Sequence, residues 1–464
     1  MADFRPESST PDALAAIFDS AMIAALADVP AARLCRAPLR LISAVSGGPD
    51  SMALAVQSER FAAAHGAAHR SIVIDHGIRP GSGAEAARVV RRLRARGIAA
   101  HQIPVQAPAP AAGIQVWARE RRYELLLAEA RSERACLLLG QNAGDQVETV
   151  MMRLARGSGL AGLAGMRPLA MREGVPLVRP LLGAGRAMIL ASCAFHGVDV
   201  ETDPSNSDSR FERVRRRSEL AAMDAAGVDA SAGLIRLSGA ASAIDLALLR
   251  QIGLAGLPTA PEPSGHLVLP SAVLRMPPLV LARLLARAIG LVAAPGHVPA
   301  SAALAHLGER LDRKKPSTLG GARFSPVEEG WLVTAEIGRR PPRSRVTAGD
   351  EVLFAGGWLV TSPVDATVRY LGEAGSGCGG DWQESRGWSG IPSLARRSLP
   401  VLETLDGKVL YPHLISRDRP VARGAEARAE CLRHTNVPNA PVTMVDNHFH
   451  AAACDRKTGA AQHV

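Results

Sequence analysis

Residues 41–54 read LISAVSGGPDSMAL: a short apolar run, a glycine turn and the start of a helix. Leu41–Val45 has the length and content of a buried strand, Gly47-Gly48-Pro49 punctuates it, and helical spacing resumes at about Asp50. Paired glycines let backbone amides approach an anion closely. A helix starting at Asp50 turns the positive end of its dipole to the same point. Ser46 and Ser51 add hydroxyl donors, and Asp50 offers oxygen to a magnesium ion. The loop is neither G-x-x-x-x-G-K-[ST] nor G-x-G-x-x-G. A plain Gly-rich turn is the simpler alternative. Five fixed residues in strand–loop–helix context, however, arise by chance in on the order of one chain in a thousand at average residue usage. The loop therefore reads as a phosphate cradle.

Outward from this loop, the same alternation repeats. Ser71–Asp75 reads as a second strand, followed by a Gly-rich turn and an Arg-studded helix ending before Gly97. Ala99–Val105, a helix containing Val116–Ala130, Cys136–Gly140 and a helix from about Asp145 to Ala155 continue it. Such alternation implies crossover units and a mostly parallel, two-faced sheet. Ligands of such sheets bind beyond the carboxyl ends of the strands. At those ends stand Asp75-His76, readable as a nucleotide edge or as a turn cap, and Asp145 with Glu148, three residues apart and so on one helix face. The carboxylate pair suits an amino-bearing substrate, although an acidic helix start has the same spacing.

Composition bounds the alternatives. The 464 residues carry 54 Lys+Arg against 44 Asp+Glu, a formal charge of +10, and only four of the basic residues are Lys. Arg forks suit phosphate, so a polyanionic partner fits, as does an ordinary solvated Arg-rich surface. Arg210–Arg217 and Arg88–Arg96 are the densest basic runs, and the second reads as a solvated face. Six cysteines, none in C-x-x-C, exclude a disulfide scaffold. The N-terminus lacks a signal-peptide pattern, and the apolar stretch 274–294 is broken by three arginines. A cytoplasmic protein with no membrane partner is expected.

The loop Ser46-Gly47-Gly48-Pro49-Asp50-Ser51 resembles the pyrophosphate-binding loop of the N-type ATP pyrophosphatases. Further segments narrow the resemblance to the tRNA(Ile)-lysidine synthase family. They are Asp75-His76-Gly77-Ile78-Arg79, Ala118-Arg119-Glu120-Arg121-Arg122-Tyr123 and Asp145-Gln146-Val147-Glu148-Thr149. Arg156-Gly157-Ser158-Gly159-Leu160, Arg179-Pro180-Leu181-Leu182 and Asp203-Pro204-Ser205-Asn206 follow in the family's order. The resemblance implies cleavage of ATP between its α and β phosphates, with magnesium, and transfer of lysine to the wobble cytidine. It assigns Ser46–Ser51, Asp75 and His76 to ATP, with magnesium held by Asp50 through the nucleotide, and Asp145 and Glu148 to L-lysine. Arg79, Arg119, Arg122, Arg156, Arg179, Arg213 and Arg217 fall to the tRNA or to the basic wall of the site. The implied partner is tRNA(Ile) with a CAU anticodon, and a homodimer is compatible. Gln141, Asn142 and Gly144 stand where the family writes one or two histidines and an extra acid, which removes a titratable imidazole. A tRNA thiolase with the same ATP loop, or a tRNA-binding homologue with a silent site, are the alternatives. The thiolase would need paired cysteines, which the sequence lacks.

The expected architecture is α/β: a parallel-sheet, Rossmann-like PP-loop domain over 38–217 after an N-terminal extension (1–37). A mainly helical middle domain with a hairpin (218–342), a small α+β C-terminal domain for tRNA recognition (343–420) and an irregular tail (421–464) follow. The tail holds Cys431, His434, His448, His450 and Cys454, in no strong zinc spacing.

Overall fold

The computed structural model describes residues 11–29, 38–79, 81–110, 112–200, 212–258, 261–262, 264–293, 299–355, 357–372, 390–410 and 428–431. The segment Asp203–Asn206, Arg210, and His434, His448, His450 and Cys454 lie outside them.

The first part alternates as its sequence predicts. Helix α1 (Pro11–Ala27) precedes β1 (Arg40–Val45), α2 (Pro49–His65), β2 (Ala68–Asp75), α3 (Ser82–Arg94), β3 (Ala100–Pro104), α4 (Ile114–Ser132) and β4 (Cys136–Leu138). Then come α5 (Ala143–Ala155), the short α6 (Leu160–Leu163), β5 (Leu169–Arg172), β6 (Val175–Val178) and α7 (Arg186–Phe195). The six strands are ordered β3-β2-β1-β4-β6-β5, parallel except for the β5–β6 hairpin at one edge. Successive residues of β1 serve opposite faces. Leu41 and Val45 join a core built with Phe18 of α1, Leu54 of α2, Leu93 of α3 and Ile189 of α7. Ile42 joins Tyr123, Leu126 and Leu127 of α4 on the other side. Because β2 flanks β1 on one side and β4 on the other, the chain changes direction between β1 and β4. A crevice opens at such a switch point.

The second part is helical first: α8 (Glu212–Ala225), α9 (Ala230–Leu254), α10 (Pro278–Val292) and α11 (Ser301–Asp312). The hairpin expected at 317–339 is present as β9 (Ala322–Val327) and β10 (Gly330–Ala335), with β8 (Ser317–Leu319) beside it. A strand not legible in the sequence, β7 (Leu267–Pro270), pairs antiparallel with β10 and closes this core. Strands β11 (Arg343–Val346), β12 (Glu351–Phe354), β13 (Trp358–Thr361), β14 (Ala366–Tyr370), helix α12 (Ser393–Arg396), β15 (Pro400–Thr404), β16 (Val409–Leu410) and β17 (Arg428–Cys431) form the last, mainly antiparallel unit.

Among the described residues one helix, α9 rather than 274–294, is long and apolar enough to cross a membrane. It packs on α5, α6, α8 and α10 and carries a fully buried acid, Asp245, paired with Arg167 and Arg283. Those contacts tie one face of the helix to the protein.

Candidate active site

The loop after β1 folds as its residues dictate. Gly47 sits at φ +92°, in the left-handed region that suits glycine. Gly48 caps α2 without a side chain, Pro49 takes the first helical turn, and Asp50 is its acid. Ser51 Oγ accepts from the Ser46 amide (3.1 Å) and donates to the Gly48 carbonyl (2.9 Å), closing the loop on itself.

The loop after β4 comes up against it. A Cβ on Gly140 would stand 3.2 Å from the Asp50 carbonyl oxygen, so glycine permits the approach. Asn142 begins α5 with a reciprocal cap: its Oδ1 accepts from the Asp145 amide (3.1 Å), and its own amide donates to Asp145 Oδ2 (3.0 Å). Its Nδ2 donates to Asp50 Oδ1 at 2.9 Å. Burial raises the pKa of Asp50, against the lowering effect of that hydrogen bond and of Arg186, 3.7 Å away.

Both loops line one cleft of about 1390 Å³ at the switch point. Ser46, Gly48, Pro49, Asp50, Ser51, Asp75, His76, Arg79, Arg119, Arg122, Asp145, Glu148 and Arg217 all reach it. Arg215 of the basic run, Gln141 of the altered segment and Arg186, which no motif singled out, line it too. Arg186 belongs to a helix whose sequence carries no acidic partner, so only its place beside Asp50 reveals it.

Within the cleft the roles differ. Glu148 is buried, and its Oε1 accepts from Arg217 Nε (2.9 Å) and Nη2 (2.7 Å). Asp75 caps the turn that follows it: one oxygen accepts from the Gly77 amide (3.0 Å) and Ser82 (2.8 Å), the other from Gln102 (3.2 Å). His76 is held below its ordinary pKa by burial and by Arg122, so it is neutral near pH 7. Tyr123 lies buried at the back with the guanidinium carbons of Arg172, Arg119 and Arg122 at 4.2, 5.1 and 5.8 Å from its ring centre. Burial would raise its pKa, but Arg119, Arg122 and Arg179 outweigh that and lower it.

Three other predicted residues, Arg179, Arg156 and Gly47, stand apart. Arg179 is behind the wall near Tyr123, donating to the Arg167 carbonyl (2.8 Å). Arg156 pairs with Glu212 (2.7 Å) at the rim. Gly47 shapes the loop without lining the cleft, and Arg213 lies on α8. Among the described residues no group of three acids, histidines or cysteines could alone hold a metal ion. The oxygen donors around Asp50 suit instead a hard cation shared with phosphates.

Comparison with known proteins agrees with this architecture. The family model of the PP-loop domain matches residues 22–223. The tRNA(Ile)-lysidine synthase of Rhodopseudomonas palustris is 42% identical over 212 residues, 45% of this chain and 61% of that protein. Two further proteins of that name extend the likeness past the sheet. One from a Bradyrhizobium species is 38% identical over 66% of this chain and 91% of its own length. One from Bradyrhizobium diazoefficiens is 33% identical over 72% and 93%.

Proposed function

The chain belongs to the tRNA(Ile)-lysidine synthase family, and from that membership we propose the way its cleft performs ATP-dependent lysidine formation on tRNA(Ile). The ATP phosphates would lie on Ser46–Ser51, at the start of α2, where loop amides and the helix dipole meet them. Asp50 would hold magnesium, which when bound neutralises charge on the phosphates. The C2 oxygen of the wobble cytidine, in a CAU anticodon, would attack the α-phosphorus, with pyrophosphate leaving. The ε-amine of L-lysine would then attack C2, and AMP would leave with the former C2 oxygen. Asp145 and Glu148 would hold that amine, Glu148 exchanging its contact with Arg217 for one with lysine. The remaining arginines, Arg79, Arg119 and Arg122, would meet the tRNA backbone or the leaving pyrophosphate.

The observation that carries this reading is that the phosphate loop and the Asp145/Glu148 face line the same cleft. Lysine and the activated carbon can therefore meet without leaving the site. The test uses purified chain, labelled lysine, ATP and tRNA(Ile) with a CAU anticodon. ATP-dependent label on the tRNA, absent when the wobble cytidine is uridine, is expected. Label without ATP, or equal labelling of the uridine variant, would overturn it.

A further inference from the structure

We propose that Asn142 is a positioning residue that sets the phosphate-side carboxylate, Asp50, against the lysine-side helix. This rests on the reading that ATP binds at Ser46–Ser51. One buried residue makes three bonds at once, two through its side chain and one through its backbone. Its Nδ2 donates to Asp50 Oδ1 (2.9 Å), its Oδ1 accepts from the Asp145 amide (3.1 Å), and its main-chain amide binds the Asp145 carboxylate (3.0 Å). Asp50 and Asp145 come from strand ends β1 and β4, 95 positions apart, and the charge of Asp145 disfavours ionised Asp50. An amide that donates to one and accepts from the backbone of the other holds them together without adding charge.

The two glycines around it fit that role. Gly140 lets the loop approach the Asp50 backbone. At Gly144 a Cβ would stand 3.1 Å from Asn142 Oδ1, tighter than nine in ten such contacts, so a side chain there would press on the amide. Asn142 and Gly144 thus form one local solution. Without the amide, Asp50 retains Arg186 at 3.7 Å as its charged neighbour and would turn toward it, away from the phosphates.

The test separates this from a plain helix cap. Serine and threonine cap helices about as well as asparagine but carry no amide to reach Asp50. In the full-length chain, Asn142→Ser and Asn142→Thr should melt within ~2 °C of the unaltered protein, since the cap remains. Calorimetric titration with magnesium and ATP should show Kd raised about tenfold, the loss of one charge-assisted hydrogen bond. The magnesium concentration for half-maximal ATP binding should rise as well. ATP affinity within twofold of the unaltered chain in either variant overturns the proposal. Failure of both variants to fold overturns it too, because Asn142 would then serve the fold and not the site. If the unaltered chain itself binds no ATP, the reading beneath the proposal fails, and that outcome is visible before any variant is made.

Discussion

Glu148 is the residue where local spacing and tertiary contact diverge most. Its place three residues after Asp145 is legible, but its bond to Arg217, 69 positions on, is not. Buried, with an arginine reaching it from across the cleft, its carboxylate already holds a cation of the kind a substrate ammonium would replace. Glu148→Gln keeps the shape and an acceptor oxygen but removes the charge. Its KM for lysine should rise at least tenfold, with ATP affinity unchanged, as read by labelled-lysine kinetics and calorimetry. An equal loss of ATP affinity would instead place Glu148 on the nucleotide side. Of the residues proposed for the nucleotide, Ser46–Ser51 has a loop geometry that was legible, because the segment is contiguous and its turn is set by backbone and near neighbours. The hydrogen bonds of Asp75 to Gly77 and Ser82 are also local, and they follow the turn-capping alternative for that residue. Arg186 and the reach of Asn142 were not legible, since each depends on which strand ends the sheet brings together.

At the scale of the element, helix α5 is held by Gln146, the residue after Asp145. The amide accepts from the Met166 amide (2.8 Å) and donates to the Met166 carbonyl (3.1 Å) and Ser238 Oγ (3.0 Å). It therefore fixes the helix bearing Asp145 and Glu148 to the turn after α6 and to α9. Gln146→Ala removes the side-chain partner of the Met166 amide and carbonyl and should destabilise the protein by about 2 kcal/mol, seen as a lower thermal midpoint. Gly165→Ala should be worse than an ordinary surface change. Its φ of +68° disfavours a side chain, and a Cβ there would fall 2.4 Å from Gln146 Nε2. An unchanged melting point in both variants would refute this account of α5. The helices and parallel strands of the first part were legible because period and punctuation are local properties. Strand β7 was not: its four residues gain strand character only by pairing with β10, some 60 positions later.

For the molecule as a whole, two predictions follow from buried charge. Asp245, fully buried on α9, faces Arg167 and Arg283, with Arg287 feeling its charge. Asp245→Ala would leave guanidinium groups without their anion and should cost about 3–5 kcal/mol, measured by denaturant unfolding. A cost below about 1 kcal/mol would mean the arginines find water instead. Burial also holds His69, His76, His101, His196 and His266 below their ordinary pKa. The unfolded chain then binds protons more readily, so the stability these groups contribute is present above about pH 6.5 and is lost as pH falls through their folded values. The melting point at pH 5.5 should lie several degrees below that at pH 7.5, of order ~5 °C. A flat or rising profile toward acid would contradict the burial of these rings. The fastening of Gln146 to Ser238 and of Arg167 to Asp245 has one more consequence, for how such a gene can be cut and recombined. A fragment ending near residue 217 would keep every motif and still lose the surface on which the helix bearing Asp145 and Glu148 is braced. Shuffling experiments that swap the second half for that of a distant relative should therefore yield soluble hybrids only when positions 238 and 245 travel with their counterparts at 146 and 167.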